Sequence, residues 1–507
     1  MAKIVVLGGG VAGMTVAHEL SERGFQVTVY EKKLIAGGKA RSLGIPGSGP
    51  PGKELPAEHG FRFFPGFYRH LPETMQRIPY RIGANGQVQS WVYDNLVPTP
   101  EITLAQKGRP ELVSPLHRPT SLSDWRDALA FMFGVFTEMY AGSIPTLELL
   151  YLAKQLLVVL TSCEERRFRE LEKENWWQFA GADKFSPAYK RLLIGLPRTL
   201  GAMKAEDVSV RSGGVGVLRL QFDMLNTTGR VDQVLNGPTN QAWIDPWLAY
   251  LKLAPRSVDY RTGQQVQQIH YGGGQITGVD VLDLATGATQ TVTADYYVFA
   301  VPVEVMRGLL TDDLRTADPD LAHLDTLGDY TSWMTGVQFY LPNDVTLGRG
   351  HTVYIDSPWA LTSISQQQFW PLQLGTLGTG QARGVISVDV SDWFTPSNRQ
   401  PKRPASECNS DEVKREVWAQ LRDHLPGLLP TYGNLVGAWV DDSIVFQTSG
   451  TARNDEPFFI NKVNSWRLRP KAYTQIPNLF LAADYVQTAT DLTTMEGANE
   501  AARRAVN

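Results

Sequence analysis

Gly8, Gly10 and Gly13 stand in a GxGxxG spacing directly behind the apolar run of residues 4–7. Each glycine has a separate task in gripping a dinucleotide. Gly8 allows a tight turn, Gly10 lets backbone N–H groups approach a diphosphate, and Gly13 lets helix and strand lie close. Val11 and Ala12 open the helix that follows, whose N-terminus stabilises the negative charge. Val16, Ala17 and Leu20 recur at helical spacing, Gly24 closes the helix, and residues 26–30 read as the next strand. Glu31 ends that strand, 18 residues past Gly13, where an acid can bond both hydroxyls of a ribose. A carboxylate there disfavours a 2′-phosphate, so NADP is not expected. This half of the pattern does not separate NAD from FAD.

The next segment does. Behind Glu31 and Lys32 a short loop leads to Gly37, Gly38, Lys39 and Arg41. A second glycine pair so close to the acid lets a loop lie along a flavin diphosphate with a cation nearby. The arrangement resembles the amine oxidase and phytoene desaturase superfamily of flavoenzymes. There the pair is followed by arginine, whereas Lys39 stands here with Arg41 two residues on, so either cation could meet the phosphate.

Two more segments carry the resemblance. Residues 58–68, with Gly60, Phe63, Phe64, Gly66 and Tyr68, are similar to a carotene desaturase segment that runs beneath the flavin ring. Arg62 replaces that family's histidine. The resemblance puts Gly60, Phe61 and Arg62 beside FAD. His59, which could touch flavin or substrate, and Arg62, to which the family histidine's role does not carry over, are the candidate catalytic side chains. His59 could equally satisfy a backbone carbonyl. Near the C-terminus, residues 477–485 resemble the family's Asn-Leu-Phe-Leu-Ala-Gly-Asp-Tyr strand, with Ala483 for the usual glycine. Asp484 would bond the ribityl chain. A helix opening over 491–498 would aim free N–H groups of Met495 and Glu496 at the flavin pyrimidine edge. Residues 260–269 read as one strand before the glycine turn at 272–274, and 294–302 as another. In relatives the residue near Val266 lies over the adenine.

These matches imply an α/β chain: a doubly wound, Rossmann-like FAD-binding domain, with a discontinuous α+β substrate domain. The expected FAD-binding parts are residues 1–75, 235–305 and 455–507. The substrate domain is expected at 76–234 and 306–454. Within the superfamily the closest likeness is to carotene desaturases and hydroxysqualene dehydroxylase-like bacterial flavoproteins, helped by residues 235–239 and 356–359.

Composition narrows the chemistry further. The 507 residues are 43% hydrophobic and 20% charged, with a net charge of -4, which gives no reason to expect nucleic acid as a partner. Cys163 and Cys408 are far apart and in no CxxC pattern, which leaves no cysteine-ligated cluster or disulfide scaffold and fits a reducing compartment. No signal peptide, membrane span, catalytic triad, HExxH motif or metal pattern is evident, so a cytoplasmic protein is expected. Neither cysteine is near a flavin motif, so FAD is expected to be non-covalent.

Residues 121–172 read as helices, with Ser123 a cap and Pro145 a break. Residues 128–160 form either a buried helix pair or an apolar lid that touches a bilayer. Over residues 147–160 the expected core face is Leu149, Leu152, Ala153, Leu156, Leu157 and Leu160, while 164–174 reads as solvated. Trp333, Trp359, Trp370, Trp439 and Trp466 could line an apolar pocket.

With no other catalytic constellation in view, flavin carries the redox chemistry and the protein orients it. Three readings follow. One is a desaturase or dehydrogenase passing hydride from an isoprenoid- or polyene-like substrate to flavin N5. The second is an oxidase of an amine or natural-product intermediate. The third is a non-redox, FAD-dependent isomerase. The electron acceptor is open.

Overall fold

The chain is described from a computed structural model that covers residues 2–115, 144–214, 216, 231–448 and 450–507. Its first sheet is five parallel strands in the spatial order Asp259–Thr262, Gln26–Glu31, Lys3–Leu7, Tyr296–Phe299 and Leu479–Leu481. Lys3–Leu7 is central and nearly all buried, which is why its sequence is a continuous apolar run. From it the chain builds outward first on one side, then on the other. The reversal falls between Lys3–Leu7 and Tyr296–Phe299, and a ligand of such a sheet sits beyond the strand ends at that point.

One core lies on each face of this sheet. On one, Val6, Met14, Val16 and Val29 pack with Trp243 and Trp247, and Ile78, Val92 and Leu96 join them, so this core reaches past residue 75. On the other, Leu7, Tyr297, Phe299 and Leu481 pack with Val279, Met306 and Leu324.

The run 260–269, expected as one strand, is divided at Gly263. Asp259–Thr262 extends the parallel sheet, while Gln264–Gly272 begins a three-stranded antiparallel sheet. Gly263 has φ 69°, which the L residues beside it would adopt only with strain.

A second, seven-stranded sheet runs in the order Leu112–Pro115, Glu101–Ala105, Gly350–Tyr354, Leu361–Ser365, Gly384–Val390, Thr335–Leu341 and Gly437–Val440. Side chains alternate across it. Val337, Phe339, Ile386 and Val388 turn one way, onto Val413, Val417, Trp418 and Leu421 of the helix Ser410–His424. Gln338, Ser387 and Asp389 alternate with them and turn to the other side, toward residues 58–62.

The predicted cap Ser123 and the first half of the 128–160 stretch lie outside the described residues. Thr146–Thr161 is a helix, as expected, but its buried face is rotated from the sequence reading. Leu152 and Val159 are buried, while Leu147 is 78%, Leu150 60%, Leu157 57% and Leu160 41% exposed. The solvated run after residue 164 ends at Glu172, which is fully buried. No single described helix is long and apolar enough to cross a membrane; Thr146–Thr161 with Glu164–Leu171 qualifies only as a pair bent by 115°.

Candidate active site

The site is built at the carboxyl ends of the first sheet. Gly8 turns the chain out of Lys3–Leu7 at φ 102°, with a Cβ position only 2.4 Å from the Ala300 carbonyl oxygen. A Cβ on Gly13 would stand 1.9 Å from the Gly8 oxygen. Both glycines are therefore obligatory for the fold of the loop. Val11 and Ala12 begin the helix Val11–Glu22, with Gly10 as its N-cap.

Gly10 faces the second glycine loop across a parallel bridge to Gly37. Gly9 is fixed just behind it. Its N–H donates to Glu31 Oε2 at 2.6 Å and its carbonyl accepts from the Tyr260 hydroxyl at 2.6 Å. Glu31 Oε1 accepts from the Lys33 N–H at 2.8 Å. Burial raises the Glu31 carboxyl pKa and the two N–H bonds oppose it. A carboxylate offers about four lone-pair directions, so two remain for ribose hydroxyls. Lys32 is exposed.

The two candidate cations have different surroundings. Arg41 is fully buried and ion-paired with Glu456 at 2.7 Å, with Asp442, and with Asp441 at 3.7 Å. It also donates to the Gly38 carbonyl. Lys39 donates to the Pro457 carbonyl, and its charge acts on Asp484 and on Glu304. Arg41 is thus committed to carboxylates inside the protein, whereas Lys39 is anchored on a single backbone carbonyl. Burial raises the pKa of both Asp484 and Glu304, and Lys39 opposes the rise in each.

His59 and Arg62 leave the same segment in different company. His59 Nδ1 is 2.8 Å from Asp441 Oδ1. Burial alone would raise the Asp441 pKa, but His59 and Arg41 outweigh it and hold the carboxyl well below its usual range. An ionised carboxylate only accepts, so Nδ1 carries a hydrogen. Arg62 donates to the Lys39 carbonyl at 3.0 Å, and its Nε has no partner among the described residues. Near it lie Glu58 and Asp389, both pushed up to about 7 by burial against the pull of Arg62. Glu58 accepts from the Thr239 N–H at 2.9 Å and hydroxyl at 2.7 Å. Gly60 has no room for a side chain, since a Cβ would stand 2.7 Å from Asp389 Oδ1. Phe61 and Arg62 line a small cleft with Gln366, Phe369 and Trp370.

The C-terminal strand and helix are present, with one difference from expectation. The last helix is Met495–Val506, so it starts four residues after Asp491. Thr494 caps it through a bond from the Gly497 N–H at 3.1 Å. The amides of Met495 and Glu496 belong to its first turn and have no partner within the helix. The Glu496 side chain is not free for a ligand. It accepts from the N–H groups of Arg69, His70 and Leu71 at 2.7–2.8 Å, capping the helix His70–Met75. Val266 lies on Gln264–Gly272 and is half-buried against the second core.

Of the five tryptophans, Trp370 lines the small cleft. Trp359 is wholly within the core behind the second sheet, and Trp466 stacks on Arg211. Sequence reasoning missed Tyr260, Glu304, Asp389, Asp441 and Glu456. Their partners are hundreds of positions away, and no local pattern marks them.

The glycine cradle, the Glu31 carboxylate and the nearby Lys39 fit the diphosphate and ribose of a dinucleotide, and the helix start offers two amides to an electron-rich ring edge. Comparison with known proteins agrees. The chain is 24% identical to the zeta-carotene desaturase of Synechocystis sp., over 99% of this chain and 96% of that one. A carotenoid phi-ring synthase of Chlorobaculum tepidum is 42% identical over a shorter stretch, 14% of this chain and 10% of that one. Among solved structures, putrescine oxidase bound to putrescine superposes with a TM-score of 0.63 at 13% identity, covering 100% of this chain and 98% of that one. An oxidoreductase from Methanosarcina mazei gives 0.64 at 13% identity, with 99% of each chain covered. These structural likenesses speak to the fold. The profile of the flavin containing amine oxidoreductases matches residues 11–507, and the chain belongs to that family of FAD-dependent oxidoreductases.

Proposed function

We propose that this oxidoreductase is a desaturase or dehydrogenase of a hydrophobic, isoprenoid- or polyene-like substrate. The observation that carries the reading is the end-to-end similarity to zeta-carotene desaturase, at 99% of this chain and 96% of that one. Bound non-covalently, FAD would supply the hydride acceptor at N5 and pass the electrons to a second acceptor.

The residues divide the remaining work. Gly8, Gly13, Gly37 and Gly38 shape the two loops that hold the diphosphate, Gly10 leaves room for its approach, and Lys39 meets its charge. Glu31 takes the adenosine ribose and Val266 lies by the adenine. Asp484 takes the ribityl chain. The Met495 and Glu496 amides stabilise negative charge at the pyrimidine edge. Arg41 holds the second glycine loop in place through its carboxylates. His59, oriented by Asp441, and Arg62 face the substrate side. Residues 1–75, 235–305 and 455–507 serve chiefly the cofactor, His59 and Arg62 apart, and 76–234 and 306–454 chiefly the substrate, with Ile78, Val92 and Leu96 still packed in the cofactor core. Leu147, Leu150, Leu157 and Leu160 form an exposed apolar stripe on one helix, suited to resting on a lipid surface from which such a substrate would enter.

The test is anaerobic mixing of the flavin-loaded protein with polyene or squalene-type lipids in liposomes, and separately with small amines. Loss of oxidised-flavin absorbance with a lipid supports the reading. Loss with an amine alone overturns it in favour of an amine oxidase.

A further inference from the structure

Asp491 is the residue at which the chain turns toward the last helix. It has φ 51° although it is not glycine, a conformation that persists only when its surroundings fix it. Its carboxylate is buried. Oδ1 accepts from Arg469 Nη1 at 2.8 Å, and Oδ2 pairs with Arg211 and accepts from the Ser212 hydroxyl at 3.2 Å. Its backbone carbonyl accepts from Asn461 Nδ2 at 2.7 Å.

Arg469 is equally committed. It donates through Nε to the Tyr485 carbonyl at 2.9 Å, and through Nη2 to the carbonyls of Asp484 at 2.9 Å and Val486 at 2.6 Å. One guanidinium therefore joins the segment 484–486 to the residue that leads into Met495–Val506. Arg211 extends the network. Its guanidinium carbon lies 4.2 Å from the Phe168 ring centroid and 4.0 Å from that of Trp466. Its neighbours Val208 and Val210 belong to the helical core around Leu152 and Val159.

We propose that Arg469 and Asp491 are a positioning pair for the flavin, holding the Asp484 segment in register with the amides of Met495 and Glu496 and thereby setting the cofactor's reduction potential. This rests on the placement of the ribityl chain and pyrimidine edge given under Proposed function. The field of a helix start falls off within its first turn. Loosening the link lets those amides drift from the charge that develops on reduction, and the reduced flavin is less stabilised. Lysine cannot replace the planar fork of Arg469, which reaches three carbonyls and a carboxylate together.

The experiment measures the midpoint potential and FAD dissociation constant of Asp491→Asn, Arg469→Lys and Asp484→Asn holoproteins. Arg469→Lys keeps the charge and provides a variant expected to fold. For both pair variants the proposal expects a more negative potential and FAD affinity weaker by about tenfold, the loss of one charge-assisted hydrogen bond. Removing the Asp491 charge without displacing the helix start would instead raise the potential, because it leaves a more positive surrounding for the reduced flavin. A raised potential in Asp491→Asn, or unchanged potentials in both, overturns the positioning role even if thermal stability falls. Wild-type affinity and potential in Asp484→Asn overturn the placement itself, and this inference with it.

Discussion

A Cβ on Gly38 would stand 2.9 Å from the Gly10 Cα, whereas a Cβ on Gly10 would meet nothing nearer than 3.7 Å. The two glycine loops thus touch asymmetrically. Gly10 also has an ordinary backbone conformation, φ -74° and ψ -168°. Gly10→Ala is expected to fold normally, with an apoprotein melting temperature within about 2 °C of wild type. It should nonetheless bind FAD at least about 100-fold more weakly, roughly 2.7 kcal/mol, because the methyl group occupies the diphosphate's approach. Gly38→Ala, at φ 56°, should instead destabilise the apoprotein by about 1–3 kcal/mol. Flavin titration beside thermal melting separates the two effects.

Lys39 and Arg41 should also part company. Arg41 sits among Asp441, Asp442 and Glu456, so Arg41→Met removes the one guanidinium they share and leaves Asp441 with His59 and Glu456 with Lys33 alone. A loss of about 3–5 kcal/mol in stability is expected. Lys39→Met removes a cation that acts on Asp484 and Glu304 without being ion-paired to either. Its stability should change by less than about 1 kcal/mol, while FAD affinity falls about tenfold or more. Urea denaturation of the apoproteins and FAD titration give both numbers.

Asp389 predicts a pH dependence whose sign is fixed. Burial, partly offset by Arg62, pushes its carboxyl from 3.8 up to about 7. The folded state therefore holds the proton more tightly than the unfolded state, and stability falls as pH rises through that window. Between pH 5 and pH 7 the change is about 2–3 kcal/mol, at about 1.4 kcal/mol per unit. Asparagine has no proton to lose. Asp389→Asn should gain on wild type by that amount between pH 5 and pH 8 in chemical denaturation. A constant difference at the two pH values contradicts the assignment.

The exposed stripe on Thr146–Thr161 gives a surface prediction. Replacing Leu147, Leu150, Leu157 and Leu160 by serine removes apolar area that the fold does not bury. Folding stability should change little, while association with liposomes in flotation assays falls several-fold. Unchanged flotation assigns the stripe no role at a lipid surface.

How much of this was legible in the sequence depends on the range of each interaction. The strand, glycines, helix and acid of residues 3–31 act on near neighbours, so their spacing could be read directly. The break at Gly263 was hidden because the flanking residues all suit strands, and the split comes from joining two different sheets. The buried face of Thr146–Thr161 was misjudged because leucines occur all around that helix and periodicity cannot choose among them. The Glu496 carboxylate cap could not be read, because the three backbone N–H groups that it accepts from belong to a distant helix. Asp441, Asp389 and Glu456 gain meaning only when the second sheet and the C-terminal segment close on residues 39–62.

The most direct test of the central claim is a single-turnover measurement under anaerobic conditions. The flavin-loaded protein is mixed with a candidate isoprenoid or polyene in liposomes, and flavin bleaching is followed beside mass spectrometry of the lipid. The account predicts that each equivalent of flavin reduced is matched by one lipid molecule that has lost two hydrogens. Flavin reduced only by amines, with every lipid recovered unchanged, would contradict it.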